Sequence, residues 1–301
     1  MKYNLITILG PTAVGKTKLA AELAYKYSGE IISADSRQVY KNMNIGTGKD
    51  LEDYNVAGVS IPYHLIDVIN PNEEFNLFLF NKYFYKAFDE INIKKKVPFL
   101  TGGTGLFIHS ILKGYNLAEV KINEKKYHEL EKLNLNDLKN TLNKLNPSPH
   151  NSTDLLIKDR VIKAIIIAEN NLSKEIENKT KISSLVIGVT AEREEIKKRI
   201  TTRLKDRLNN GMIEEVEELI KSGITFEKLN FFGLEYKFIG MYLNNELTYN
   251  DMYQKLNSAI HAFAKRQMTW FRKMEKEGIK INWIIGADIL MASEIVEQNY
   301  F

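Results

Sequence analysis

Cysteine is missing from all 301 residues. That absence excludes disulfides and thiolate-held metals and fits a reducing compartment. Histidine is sparse: the five residues, at 64, 109, 128, 150 and 261, show no metal-ligand spacing, so zinc is not expected. No run approaches 18 apolar residues, and no basic segment leads a cleavable apolar stretch at the N-terminus. A soluble, cytoplasmic protein without a membrane segment is the expectation. Neither charge dominates: 42 basic against 38 acidic side chains leave +4, too mild to announce a nucleic-acid binder unless the cations cluster.

What is present begins with "ILGPTAVGKTKLA", residues 8 to 20. Gly10, Gly15, Lys16 and Thr17 carry the spacing of a phosphate-binding loop, here Gly10, Pro11, Thr12, Ala13, Val14, Gly15, Lys16 and Thr17. An apolar run at 3–9 precedes it as a buried strand, and 16–26 follows as a helix. Glycines let backbone N–H groups approach an anion, and the helix N-terminus adds partial positive charge. Lys16 supplies a point charge, and the Thr17 hydroxyl can ligate Mg2+. The plain alternative is a glycine-rich β–α turn without a ligand.

The length suits one large domain with a smaller one. Strand patterns at 3–9, 30–34, 63–69, 97–101, 184–190 and 281–285 alternate with helical ones, which predicts an α/β fold. This is a P-loop-containing parallel sheet core, with ligands at the carboxyl ends of its strands. From 116 to 180 the chain turns rich in Lys, Asn, Glu and Leu, with a break at "NPSPH" (146–150), and reads as a small inserted helical domain. The division is therefore 1–115 for the first part of the core, 116–180 for the insertion, and 181–301 for the remainder with C-terminal helices.

The strand ends gather chemistry. Asp67 in "HLIDV" could hold magnesium in a kinase or NTPase. Strand 30–34 runs into "DSRQVY", placing Asp35 and Ser36 at the sheet edge, and strand 97–101 runs into the second glycine turn "GGTG", bringing Thr104 there. A carboxylate and a hydroxyl beside a P-loop describe an acid/base site next to an anion site. A turn or cap role explains Asp35 or Thr104 taken singly. Arg199, Arg203 and Arg207, four residues apart, share one helix face, which as a bare pattern is a solvated basic stripe. "KRQMTWFRK" interleaves Lys265, Arg266, Arg272 and Lys273 with Trp270 and Phe271, suiting phosphate contacts beside an aromatic surface. Arg160 and Lys163 lie i, i+3 in the insertion.

Taken together, "GPTAVGKT" (10–17), "SADSRQVYKNMNIGTGK" (33–49), "HLIDVINPNEEF" (64–75), "GGTGLFI" (102–108), "RITTRLKDRLNNGMIEEVEEL" (199–219) and "AKRQMTWFRK" (264–273) make the chain resemble the tRNA dimethylallyltransferases, also called tRNA isopentenyltransferases. The likeness spans nearly the whole chain apart from the insertion and the last dozen residues. It implies that the P-loop holds the diphosphate of dimethylallyl diphosphate. The five-carbon group then passes to the exocyclic 6-amino nitrogen of the adenosine just 3′ of the anticodon. By motif position, Asp35 is the proton acceptor, Thr104 a second catalytic residue and Arg203 the diphosphate-facing arginine. The resemblance places Asp35, Ser36, Arg37 and Gln38 against the extruded base and its neighbour. It sets Asp159, Arg160, Val161, Ile162 and Lys163 against the anticodon stem-loop, and Lys237, Lys265, Arg266, Trp270 and Arg272 along the tRNA. The base is expected to be flipped from its stack into a channel between core and insertion. A monomer is the default.

Two positions depart from the family pattern. Glu235 replaces a glycine, where a carboxylate should repel RNA phosphate, and Phe107 replaces a tyrosine. A prenyltransferase of free adenine nucleotides, a small-molecule kinase and an RNA binder without catalysis are the competing readings.

Overall fold

The computed structural model describes residues 2–115, 117, 123–145, 157–171 and 180–301. The break "NPSPH" and the segment 172–179 lie outside the described residues. Chain contacts divide the molecule into two compact units, Met1–Gly114 with Thr180–Phe301, and Tyr115–Lys179.

The larger unit opens with β1 (Leu5–Leu9), α1 (Lys16–Lys26) and β2 (Gly29–Ser33). A 3-10 turn at Leu51–Tyr54 leads to a short hairpin of β3 (Asn55–Val56) and β4 (Val59–Ser60), and then to β5 (Tyr63–His64). Next come α2 (Leu77–Ile93), β6 (Val97–Gly102) and α3 (Gly105–Leu112). The chain then builds α4 (Glu124–Glu131), α5 (Leu135–Leu145) and α6 (Lys158–Asn171) in the smaller unit. It returns as β7 (Ser184–Thr190), followed by α7 (Arg193–Asn209), α8 (Met212–Lys221), α9 (Phe226–Phe232), α10 (Leu234–Leu243) and α11 (Tyr249–Lys276), and finishes with β8 (Asn282–Ile285) and α12 (Ile289–Asn299).

Six strands form one parallel sheet in the order β5-β2-β6-β1-β7-β8. Central β1, "LITIL", is buried at every position, as a parallel strand covered on both faces must be. Its side chains alternate between two cores. Leu5 and Leu9 join the core containing Phe80, Ile108, Leu204 and Phe271, while Ile6 and Ile8 join the one formed with Leu19, Leu23, Ala292 and Val296. Each fully buried aliphatic or aromatic side chain contributes about 1.5–3 kcal/mol. This sandwich fixes the height at which every strand delivers its C-terminal loop.

The expected strand 63–69 is corrected. Only Tyr63 and His64 pair with β2, and the chain then turns through Leu65 at φ 65° and Asp67 at φ 54°, conformations outside the β region. Ile69 rejoins through a single bridge to Tyr40. The smaller unit packs Leu130, Leu138, Leu142, Val161, Ile162, Ile165 and Ile166 into a core of its own.

Candidate active site

The P-loop emerges from β1 at Gly10, whose φ is 155° and where an added Cβ would lie 2.2 Å from the Val189 carbonyl oxygen. Only glycine passes so close to β7 in that conformation. Ala13 (φ 66°) and Gly15 (φ 84°) also adopt left-handed geometry, the kind of backbone that turns successive N–H groups toward an anion. Gly15 stands as the N-cap of α1 without a side-chain cap, so the helix's first N–H groups have no side chain upon them.

Two cations converge on this loop. Lys16 Nζ donates to the Pro11 carbonyl at 2.6 Å. Burial, reinforced by the nearby Arg203 and opposed by Asp35, brings the Lys16 ammonium down to about 7. Arg203, from α7, donates through Nη2 to the Thr12 hydroxyl. Burial first, then Arg207, lowers its pKa to about 10, with Asp50, Glu235 and Asp53 acting in the other direction. Arg203 therefore stays charged at neutral pH. The three arginines of the α7 face have separate fates: Arg199 pairs with Glu195 at 2.7 Å on the surface, and Arg207 grips Asp50 at 3.1 Å.

The second glycine turn is stitched to the end of β2. The Thr104 N–H donates to Ala34 O at 3.2 Å, and the Ser36 N–H donates to the Thr104 hydroxyl at 3.1 Å. Asp35 Oδ1 accepts the Arg37 N–H at 2.9 Å, an Asx turn that fixes the carboxylate's direction. Asp35 is thus both a turn residue and a member of the group around Lys16, whose charge it favours. Gln38 is occupied within the protein, accepting from Ser33 at 3.0 Å and donating to Gly48 O at 2.9 Å.

Three residues that sequence reasoning passed over organise these parts. Gln267, buried in α11, accepts the Thr12 N–H at 2.8 Å and donates to Gly103 O at 2.9 Å, joining the P-loop to the second glycine turn. Glu215, from α8, accepts the N–H groups of Asn44, Ile45 and Gly46 at 2.7, 2.8 and 3.0 Å and the Tyr236 hydroxyl at 2.7 Å. Lys49, its side chain fully buried, binds Asp67 and the Tyr40 carbonyl. That last pair corrects the reading of Asp67 as a magnesium carboxylate, because its charge is already spent on Lys49.

Other expectations need correction on burial. Val161 and Ile162 are 0% and 1% exposed in the core of the smaller unit, so their side chains cannot meet RNA. In that stretch Arg160 is exposed, while Asp159 accepts the Tyr127 hydroxyl at 2.8 Å and pairs with Lys163 at 3.1 Å. Of the two aromatic side chains anticipated as a surface on α11, Phe271 is fully buried, and half-buried Trp270 covers Gly105, where an added Cβ would lie 2.4 Å from its ring. The contact hidden from sequence reasoning is with Gly105, 165 positions earlier in the chain, which takes the Trp270 ring out of the open. Lys265, Arg266, Arg272 and Lys237 are exposed. Phe107 stacks on Phe80 with centroids 4.2 Å apart, filling the core where a tyrosine hydroxyl would have needed a partner. Glu235 opens α10 within the field of Arg207 and Arg203, and burial together with Asp35 pushes its carboxyl up while those cations hold it down. Burial prevails, and the carboxyl stands above its ordinary value.

For a metal, the described residues contain no group of three His, Asp or Glu side chains able to form a protein cage. Thr17, in the first turn of α1, offers one hard oxygen. That donor set fits Mg2+, which takes few protein ligands and fills its octahedron with water and phosphate oxygens.

Residues 38–274 match the IPP transferase family, and residues 3–60 match the isopentenyl transferase family. A tRNA dimethylallyltransferase 1 of Geotalea daltonii is 50% identical over 287 residues, covering 95% of this chain and 92% of that protein. Its counterpart from Geotalea uraniireducens is 50% identical over 301 residues, 99% of each. Among solved structures, the full-length tRNA isopentenylpyrophosphate transferase of Bacillus halodurans superposes with a TM-score of 0.69 at 31% identity, covering 99% of this chain and 95% of that one. With a match that runs from Gln38 to Met274 and so takes in Thr104, Arg203 and Gln267, the chain belongs to the IPP transferase family.

Proposed function

We propose that this protein transfers a dimethylallyl group from dimethylallyl diphosphate to the exocyclic amine of an adenosine in tRNA, the one 3′-adjacent to the anticodon. The observation that carries the reading is the joining of the P-loop, which holds Lys16 and is gripped at Thr12 by Arg203, to the turns bearing Thr104 and Asp35 through Gln267 and the Ser36–Thr104 hydrogen bond.

The diphosphate lies along the N–H groups of residues 10–17, with Lys16 and Arg203 on its oxygens. As the carbon–oxygen bond breaks, charge grows on the leaving diphosphate, and fixed cations and N–H groups in a poorly hydrated loop stabilise it more than water does. A magnesium ion held by Thr17 and the diphosphate would supply further neutralisation of that charge. The amine nitrogen attacks the allylic carbon. Its lone pair is delocalised into the purine, so losing the proton as the new nitrogen–carbon bond forms lowers the barrier. Asp35, oriented by its bond to the Arg37 N–H, accepts that proton. Thr104 uses its oxygen to accept from Ser36, which leaves its own proton to donate toward the leaving group.

The exposed cations Lys265, Arg266, Arg272 and Lys237 in the larger unit and Arg160 in the smaller, with half-buried Lys163 beside Asp159, suit RNA phosphates. The test is direct. Purified protein, Mg2+, labelled dimethylallyl diphosphate and an anticodon stem-loop, without ATP, should yield prenylated RNA and free diphosphate in equal amounts. Strict dependence on ATP, with phosphate appearing on an acceptor, would overturn the reading.

A further inference from the structure

At the turn between α9 and α10 an aromatic ring stands in the open. Phe231 is 43% exposed, although its neighbour Phe232 is buried against Tyr40. Two cations attend the ring: the Arg37 guanidinium carbon lies 5.1 Å from its centroid and the Lys228 ammonium 5.5 Å. The turn itself abuts Arg37, since a Cβ placed on Gly233 would lie 3.8 Å from Arg37 Nε. Arg37 in turn is held by its N–H on Asp35. The ring therefore sits one side chain away from the proposed proton acceptor, on the same connected edge of the larger unit.

We infer that Phe231 is a stacking platform for a nucleobase adjoining the target adenosine, with Lys228 and Arg37 meeting the flanking phosphates. The inference rests on the tRNA reading above. A hydrophobic partner protein would be poorly served by a single ring between two cations, whereas single-stranded nucleic acid presents both a π-face and a phosphate to such a patch. When an adenosine leaves its stack, the base beside it loses a neighbour. An exposed aromatic face at that place restores the lost stacking and so lowers the cost of extrusion. Arg37 gains a second duty, because its contact with the ring keeps the platform aligned with the turn that carries Asp35.

The experiment compares wild type with Phe231→Ala, Phe231→Leu and Phe231→Trp on an anticodon stem-loop carrying 2-aminopurine next to the target adenosine. Loss of one stacked base should raise the RNA KM of Phe231→Ala by roughly 5- to 150-fold, with kcat and the KM for dimethylallyl diphosphate within about twofold of wild type. Phe231→Trp should restore the RNA KM and the quenching of 2-aminopurine fluorescence. Phe231→Leu, apolar but without a π-face, should restore neither. Lys228→Gln should lower the slope of log affinity against log salt by about 0.7, while Phe231→Ala leaves that slope unchanged. If Phe231→Ala fails to fold, the Leu and Trp variants decide the matter alone. Equal RNA KM for Leu and Trp overturns the platform, as does an unchanged RNA KM accompanied by altered sedimentation, which would make the patch a self-association face. A wild type that leaves the stem-loop unmodified overturns the tRNA reading, whereas an active wild type indifferent to all three substitutions overturns this inference alone.

Discussion

The side-chain carbonyl of Gln267 accepts the backbone N–H of Thr12 at 2.8 Å, while the same side chain's amide donates to Gly103 O at 2.9 Å. One buried amide thereby sets the spacing between the anion loop and the turn carrying Thr104. Gln267→Leu strands a buried donor and a buried acceptor, so the melting curve should report a loss of about 1–3 kcal/mol and the KM for dimethylallyl diphosphate should rise. Gln267→Glu keeps the acceptor for Thr12 but points an oxygen at Gly103 O, and should also raise the donor KM. A Gln267→Glu enzyme with the wild-type donor KM would show that the link does not govern the loop.

Asp35 has a structural duty and a proposed chemical one, and these separate cleanly. Asparagine retains the Oδ1 that accepts the Arg37 N–H but is not a base at any working pH. Asp35→Asn should melt like wild type and lose roughly 10²- to 10⁴-fold in single-turnover rate. A near-normal rate in this variant would remove Asp35 from proton transfer.

Lys16 should take up a proton when the diphosphate binds. With its free value near 7, the side chain is mostly neutral at pH 8, and an anion laid against it favours the charged form. Affinity is then greatest below pH 7, where Lys16 is already charged, and falls as pH rises above it. Calorimetry at pH 8 in buffers of different ionisation enthalpy should show uptake approaching one proton per diphosphate. Lys16→Met should show none, and an uptake retained in that variant would assign the proton elsewhere.

At the opposite end of β2, Glu30 is 4% exposed and bonds His64 at 2.8 Å and Lys94 at 3.0 Å. Burial alone would raise its carboxyl, but the two hydrogen bonds outweigh this and hold it below the ordinary value. A depressed carboxyl contributes stability above the unfolded value, about 4.5, and that contribution disappears as pH falls through the folded one. The urea midpoint of wild type should therefore drop between about pH 5 and pH 3 more steeply than that of Glu30→Gln. Parallel profiles would place the acid sensitivity at other carboxylates.

How much of this was legible depended on sequence distance. The P-loop, the Asp35 turn and the "GGTG" turn are local patterns, each written within a few residues beside an apolar strand, and reading them needed no partner. Gln267 and Thr12 lie 255 residues apart, and Glu215 and Asn44 171 apart. A buried glutamine within "KRQMTWFRK", or one glutamate among the four of α8, carries no mark of the backbone it will meet. Lys49 and Asp67 mislead for a related reason: an aspartate after an apolar run looks like a strand-end metal ligand until the fold brings a buried lysine to it. The Val161–Ile162 pair shows the reverse error, in which a contiguous motif was read as one surface although a helix turns adjacent residues to different faces.

Glu215 holds one further meaning. Three consecutive N–H groups, at Asn44, Ile45 and Gly46, form the kind of concave cradle that elsewhere captures a phosphate, and here the chain fills it with a carboxylate of its own. The segment from 44 to 46, which leads into Gly48 and so to Gln38, is consequently ordered when the polypeptide folds and not when substrate arrives. Its loss of conformational freedom is charged to folding, and an incoming RNA meets a wall already standing.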